Sequence, residues 1–162
     1  MAIYLNTNRP LENFKELYNE KYYVDKSEII ALINEKISSK SKYICITRPR
    51  RFGKTSIINM LGAYYTKGVN SKEIFDKFEI SNSESYLENL NKYNVISISF
   101  NKLSDRGNTY SHYMEMIKTS IINDIVEQYP QINQKRYFAI SDMLDATNDK
   151  FIFIIEVFII SI

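Results

Sequence analysis

The stretch "YICITRPRRFGKTSIINML", residues 43–61, constrains this chain more than any other. Its first part, "YICIT" at 43–47, is short, apolar and β-rich, the pattern of a strand buried on both faces of a parallel sheet. Its last part has Ile57, Ile58 and Leu61, followed by Tyr64, at helical spacing, with a stop at Gly68. Between them lies a loop that ends in Gly53-Lys54-Thr55. Strand, loop and helix in this order form a phosphate-binding P-loop. Successive backbone N–H groups wrap an anion, and the unpaired amides and positive end of the helix face it.

Arg48 stands where the pattern G-x-x-x-x-G-K-[ST] has its first glycine, which normally eases the turn out of the strand. Because Arg48 precedes Pro49 it is pushed toward extended geometry, so the strand can run one residue longer before turning. Pro49 lacks an N–H, but the donors that hold phosphates come from later in the loop. In such a loop Lys54 would reach the β- and γ-phosphates of a nucleotide, and the Thr55 hydroxyl would bind Mg²⁺. Arg50, Arg51, Phe52, Gly53 and Ser56 complete the binding loop. Arg50 and Arg51 leave three readings open: added anion contacts, an edge for nucleic acid, or charges held in water.

Other elements follow from periodicity. Asp25-Lys26-Ser27-Glu28 carries a cap pattern ahead of Ile29, Ile30, Leu32, Ile33 and Ile37, which predicts an amphipathic helix ending near residues 38–42. Weaker helical pieces at 71–78 and 83–93 lead to "VISISF" (95–100), a second strand. From 109 to 128 a stripe of Tyr110, Tyr113, Met114, Ile117, Ile121, Ile125 and Val126 predicts a long helix that packs into the core and is ended by Pro130. A short helix over 134–146 precedes a third strand at 151–155. Strands alternating with helices argue for an α/β fold with a parallel sheet.

The 162 residues are 44% hydrophobic, enough for one domain with a real core. Twenty-one basic against nineteen acidic side chains give a net charge of +2, so no global field recruits nucleic acid or a membrane surface. Any nucleic-acid contact would be local, at the arginine-rich loop. The final apolar run, residues 151–162, carries Glu156 and is shorter than the roughly 20 residues that span a bilayer. It reads as a buried strand that runs on. The single cysteine, Cys45, cannot form an internal disulfide, and the N-terminus lacks the pattern of a signal peptide, which together fit a cytoplasmic protein. His112 is the only histidine, so no histidine metal cluster exists. "NKLSD" at 101–105 approaches the guanine-reading N-K-x-D, but its acid falls one residue late.

"YYVDKSEII" followed by "YICITRPRRFGKTSIINML" closely resembles the bacterial and archaeal AAA-ATPase-like family, as do "EIFDKFEIS" and "YNVISISF" farther along. Members have a Tyr-Val-Asp-Lys-Thr-type segment and then a Thr-Arg-Pro-Arg-Arg-Phe-Gly-Lys-[Ser/Thr] loop, in which Arg routinely replaces the first glycine. The resemblance covers about nine-tenths of the chain. It implies a P-loop NTPase-like parallel sheet with flanking helices, ATP and Mg²⁺ as cofactors, and ATPase activity. It also places Asp25-Lys26 where related ATPases reach the adenine or ribose, although a helix cap explains the same residues.

After the third strand the family implies an Asp-Glu pair, the first residue for the Mg²⁺ shell and the second to orient the attacking water. Here Glu156 and Val157 stand in those places. Glu156 is an oxygen donor one methylene longer than Asp, whereas Val157 can neither accept a proton nor align water. Such a plan also normally sets a further strand between the P-loop strand and the Asp-Glu strand. Without it the strand at 43–47 would lack neighbours in the sheet, leaving buried backbone groups unpaired. The expectation is therefore an incomplete sheet of about three strands, the N-terminal part of an AAA-ATPase-like domain over 1–162, with later strands missing and no C-terminal nuclease-like domain. The alternative is a non-catalytic fragment, or a module that binds nucleic acid or protein through the arginine-rich loop.

Overall fold

In the computed structural model, the described residues are 2–37, 39–47, 49, 52–100, 109–134 and 139–156. They fold into two compact units, one of residues 1–7 with 94–162 and the other of residues 8–93. Arg48, Arg50, Arg51, the "NKLSD" segment and Val157 lie outside the described residues.

The first unit is built on two parallel strands, β1 (Asn94–Ser99) and β2 (Phe151–Glu156), in register from Asn94 opposite Phe151 to Ser99 opposite Glu156. On its other side β1 meets the N-terminal segment, where Leu5 bridges Ile96 antiparallel. Asn6 extends that pairing twice: its N–H donates to the Val95 carbonyl, and its side-chain Oδ1 accepts from the Val95 N–H, both at 2.8 Å. The long helix α6 (Tyr110–Gln128) lays Ile117, Ile121 and Ile125 against Leu5, Ile96 and Ile98. Its i, i+4, i+8 spacing makes one apolar stripe, as the sequence predicted. Tyr110 at the start of that stripe is exposed. The Thr109 side chain caps α6 by accepting from the His112 N–H.

Asp124 is on the buried side of α6 and is only 4% exposed. Its carboxylate accepts from the backbone N–H groups of Ile3, Tyr4 and Leu5, at 2.7 Å for Tyr4 and 3.0 Å for the other two. A buried charge needs such donors to offset its desolvation, and they in turn fix the N-terminal segment beside β1.

The second unit is helical. α1 (Arg9–Tyr18), which the periodicity reading passed over, starts with Pro10 in its first turn and buries Leu11 and Phe14. α2 (Glu28–Ile37) buries Ile30 and Ile33, and α3 (Lys54–Tyr65) buries Ile57, Met60, Leu61, Tyr64 and Tyr65. α1 crosses α3 at Gly62, where a Cβ would stand 2.6 Å from Pro10 Cβ, so only glycine permits this approach. α4 (Lys72–Phe75), a 3₁₀ turn (Glu79–Asn82) and α5 (Tyr86–Asn89) replace the two longer helical pieces expected there. Asn91 closes the C-terminal end of α3 by donating its side-chain amide to the carbonyls of Ala63, Tyr64 and Thr66, each at 3.1 Å. An aromatic cluster centred on Phe14, Phe75 and Phe78 fills the interior, with Phe14 and Phe75 stacked at 5.5 Å between ring centroids.

One expected strand is absent. Residues 43–47 have no regular structure and pair with no described strand, and Tyr43 is 88% and Ile44 43% exposed. Cys45, expected to be a buried apolar side chain, is exposed as well. A strand saturates its backbone only through neighbours, so an apolar β-rich run without them stays irregular and wet. Among the described residues the sheet thus has two strands rather than about three. Farther on, α7 (Ile140–Ala146) is shorter than the helix expected over 134–146. No helix among the described residues is long and apolar enough to cross a membrane.

Candidate functional site

α3 starts at Lys54 with Gly53 as its N-terminal cap, in the left-handed region at φ 79° and ψ 22°. That backbone conformation is available to glycine at no steric penalty. It turns the chain from the Pro49–Phe52 hydrogen bond, in which the Phe52 N–H donates to the Pro49 carbonyl at 3.3 Å, directly into the helix. The first helical bond runs from the Ile57 N–H to the Gly53 carbonyl at 3.1 Å. Twelve residues of helix therefore stand behind this terminus, and its first turn holds no acidic side chain. The positive end of the helix carries Lys54, half-buried, with Thr55 exposed and Ser56 half-buried. Phe52 is 61% exposed at the rim.

The segment "YVDKS" is drawn to the same place, through contacts that no sequence pattern specified. Asp25 accepts the Ser27 N–H on Oδ1 and the Glu79 N–H on Oδ2, both at 2.8 Å. Ser27, fully buried, accepts the Ile80 N–H on its hydroxyl at 3.1 Å. These bonds tie the start of α2 to the 3₁₀ turn at Glu79–Asn82. Asp25 does not cap α2 itself: its two carboxylate oxygens hold the N–H groups of Ser27, ahead of the helix, and of Glu79, in the 3₁₀ turn. Between the two anchored residues, Lys26 extends toward the loop, with its Nζ 3.2 Å from where a Cβ on Gly53 would lie. A cavity of about 180 Å³ opens beside it, lined by Tyr22, Tyr23, Val24 and Lys26 on one side and by Ser56, Ile57 and Met60 on the other. Burial, and then the nearby Asp25 carboxylate, push the Tyr23 phenol up to about 12, so it remains a neutral donor at this wall.

Glu156 ends β2 in the first unit, buried, and its Oε2 accepts from the Ser99 hydroxyl at 3.0 Å. The register that sets Ser99 opposite Glu156 makes this contact. Thr55 belongs to the second unit and Glu156 to the first. Among the described residues no cluster of three or more His, Cys, Asp or Glu side chains is placed to hold a metal ion. His112 is exposed on α6, as a surface position would be.

Parallel strands with flanking helices, and a Gly-Lys-Thr turn that opens a helix, define a mixed α/β protein. The family model described as Predicted AAA-ATPase matches residues 10–158, and the chain belongs to this AAA-ATPase-like family. No curated protein and no solved structure matches it.

Proposed function

We propose that the chain binds ATP with Mg²⁺ at the N-terminus of α3, and that hydrolysis is weak or lost. The observation that carries this is Gly53 at φ 79°, immediately before a 12-residue helix whose first turn has Lys54 and Thr55 and no acid. A polyphosphate suits this donor set. Backbone amides and the helix dipole favour an anion, the Lys54 ammonium adds a full charge, and no carboxylate of that turn opposes it. Arg50, Arg51, Phe52 and Ser56 are the remaining members of the loop in this proposal, and the Thr55 hydroxyl is the oxygen donor for the metal. When bound, Mg²⁺ would neutralise charge on the phosphate oxygens.

Weak hydrolysis is inferred from the residues at the end of β2. The family resemblance implies Asp then Glu there, and the chain has Glu156 then Val157. Glu156 already accepts a hydrogen bond from Ser99. A valine side chain has no atom that could orient or deprotonate a water.

Titration of the purified chain with a fluorescent ATP analogue and Mg²⁺ tests the proposal. Binding should saturate, and Lys54→Ala should weaken it by about tenfold or more, the range expected when a charge-assisted phosphate contact is removed. Equal binding by Lys54→Ala, or none by the natural chain, would sink it. Salt-dependent DNA binding that survives Lys54→Ala would instead favour a nucleic-acid role for the arginine-rich loop.

A further inference from the structure

We infer that Lys26 supplies a second ammonium to the phosphate site, a binding role that rests on the ATP reading above. Three observations converge on it. The first is placement: Lys26 Nζ lies 3.2 Å, and Ser56 Oγ 3.9 Å, from the point where a Gly53 Cβ would stand. The ammonium and the hydroxyl thus flank the same bare α-carbon. Glycine at 53 leaves that space open, and its positive φ independently excludes most side chains from filling it.

The second is anchoring. A lysine on a flexible loop loses most of its contact energy to the entropy of ordering four rotatable bonds, whereas one whose backbone is already fixed loses less. Lys26 sits between Asp25, with both carboxylate oxygens on backbone N–H groups, and Ser27, fully buried and bonded to the Ile80 N–H. Its α-carbon is held on both sides, so the side chain is delivered to the loop rather than left to find it.

The third is charge. Among the described residues the Lys26 ammonium makes no ion pair, and its neighbour Asp25 is occupied by backbone donors. Glu20 is the one carboxylate on the wall of the adjacent cavity. Lys26 thus reaches Gly53 from the segment that leads into α2, while Lys54 follows Gly53 in sequence at the start of α3. A polyanion is the kind of ligand that two ammonium groups can share.

The consequence is a link between the two sequence segments that mark the family. The Asp25 and Ser27 contacts would be the support, and Lys26 the group that touches phosphate. The site would then be made by "YVDKS" as well as by "GKTS".

Lys26→Ala, Lys26→Arg and Lys54→Ala, made in the full chain, separate the possibilities when titrated with ATP, ADP and AMP in the presence of Mg²⁺. Lys26→Ala should weaken ATP about tenfold, with a smaller loss for AMP, and Lys26→Arg should restore most of the affinity because it restores the charge. The thermal midpoint should be unchanged, since an exposed lysine with no partner contributes little to stability. Wild-type affinity in Lys26→Ala alongside lost binding in Lys54→Ala overturns the inference and leaves the ATP reading intact. Loss of affinity together with a lowered midpoint, with no rescue by arginine, also overturns it, by assigning Lys26 a structural role. No ATP binding by the natural chain removes both.

Discussion

Residues 94–99 and residues 43–47 are both short runs of isoleucine and other β-formers, and they fare oppositely. β1 has β2 in register along one edge, Leu5 and Asn6 along the other, and Ile96 and Ile98 under α6. The run at 43–47 has no described strand on either side, and Tyr43 and Ile44 face water. Propensity is similar in the two, so partners decide the outcome. A strand is a property of a sheet before it is a property of a sequence. The helical unit that carries 43–47 coheres without it, through α1 on α3 and the aromatic interior around Phe14, Phe75 and Phe78.

The sharpest way to test this contrast is to remove an equivalent side chain from each run. Ile96 is fully buried against Leu5, Ile117, Ile121 and Ile125. Ile96→Ala should destabilise the protein by about 2–5 kcal/mol, the transfer term plus the cavity left in a packed core. Urea unfolding followed by circular dichroism would measure it. A loss below about 1 kcal/mol would mean that this sheet is not packed as described.

The next effect concerns what gives β1 its second neighbour. Asp124→Ala would strand the Ile3, Tyr4 and Leu5 N–H groups that its carboxylate now accepts. A loss of about 2–3 kcal/mol is expected, because charge-assisted bonds are lost and the Leu5 N–H is left buried without a partner. Hydrogen exchange reads the same event locally. The Ser97 N–H, which donates to the Tyr4 carbonyl at 3.0 Å, should lose protection as the N-terminal segment detaches. Retained protection at Ser97 would show that the segment is held by something other than Asp124.

These contacts also mark what the sequence made legible. Periodicity was enough for α2, α3 and α6, whose apolar residues recur at helical spacing, and alternation with helices pointed to a parallel sheet, whereas the direct pairing of β1 with β2 came only from the structure. The Gly53 turn was legible because a left-handed cap before a helix has a local chemical cause. α1 was signalled by Pro10, Leu11 and Phe14 but lies in a polar stretch that masks its period. The edge made by Leu5 and Asn6 is too short to carry any period, and Asp124 looks like one more helix-surface acid until the donors from 120 residues away are placed around it. Lys26 at Gly53 is likewise a tertiary fact: 27 positions separate the two, and only the anchoring of Asp25 and Ser27 on the 79–82 turn brings them together.

The smallest expected effect is the one most specific to the contrast. Ile44→Ala removes the same atoms as Ile96→Ala from a residue that is 43% exposed and lies in no strand. Little apolar area returns to water and no cavity forms, so stability should change by no more than about 0.5 kcal/mol. If Ile44→Ala instead cost as much as Ile96→Ala, residues 43–47 would have to be packed in solution against a surface, and the exposed conformation would be wrong. Amide exchange separates the cases directly: the 43–47 amides should exchange at nearly the free-peptide rate, while those of β1 remain protected. Because residues 43–47 lead into the loop before Gly53, repeating the exchange with ATP and Mg²⁺ adds a further test. Slowed exchange at 43–47 on addition of nucleotide, abolished by Lys54→Ala, would show that filling the phosphate site orders the run that precedes it.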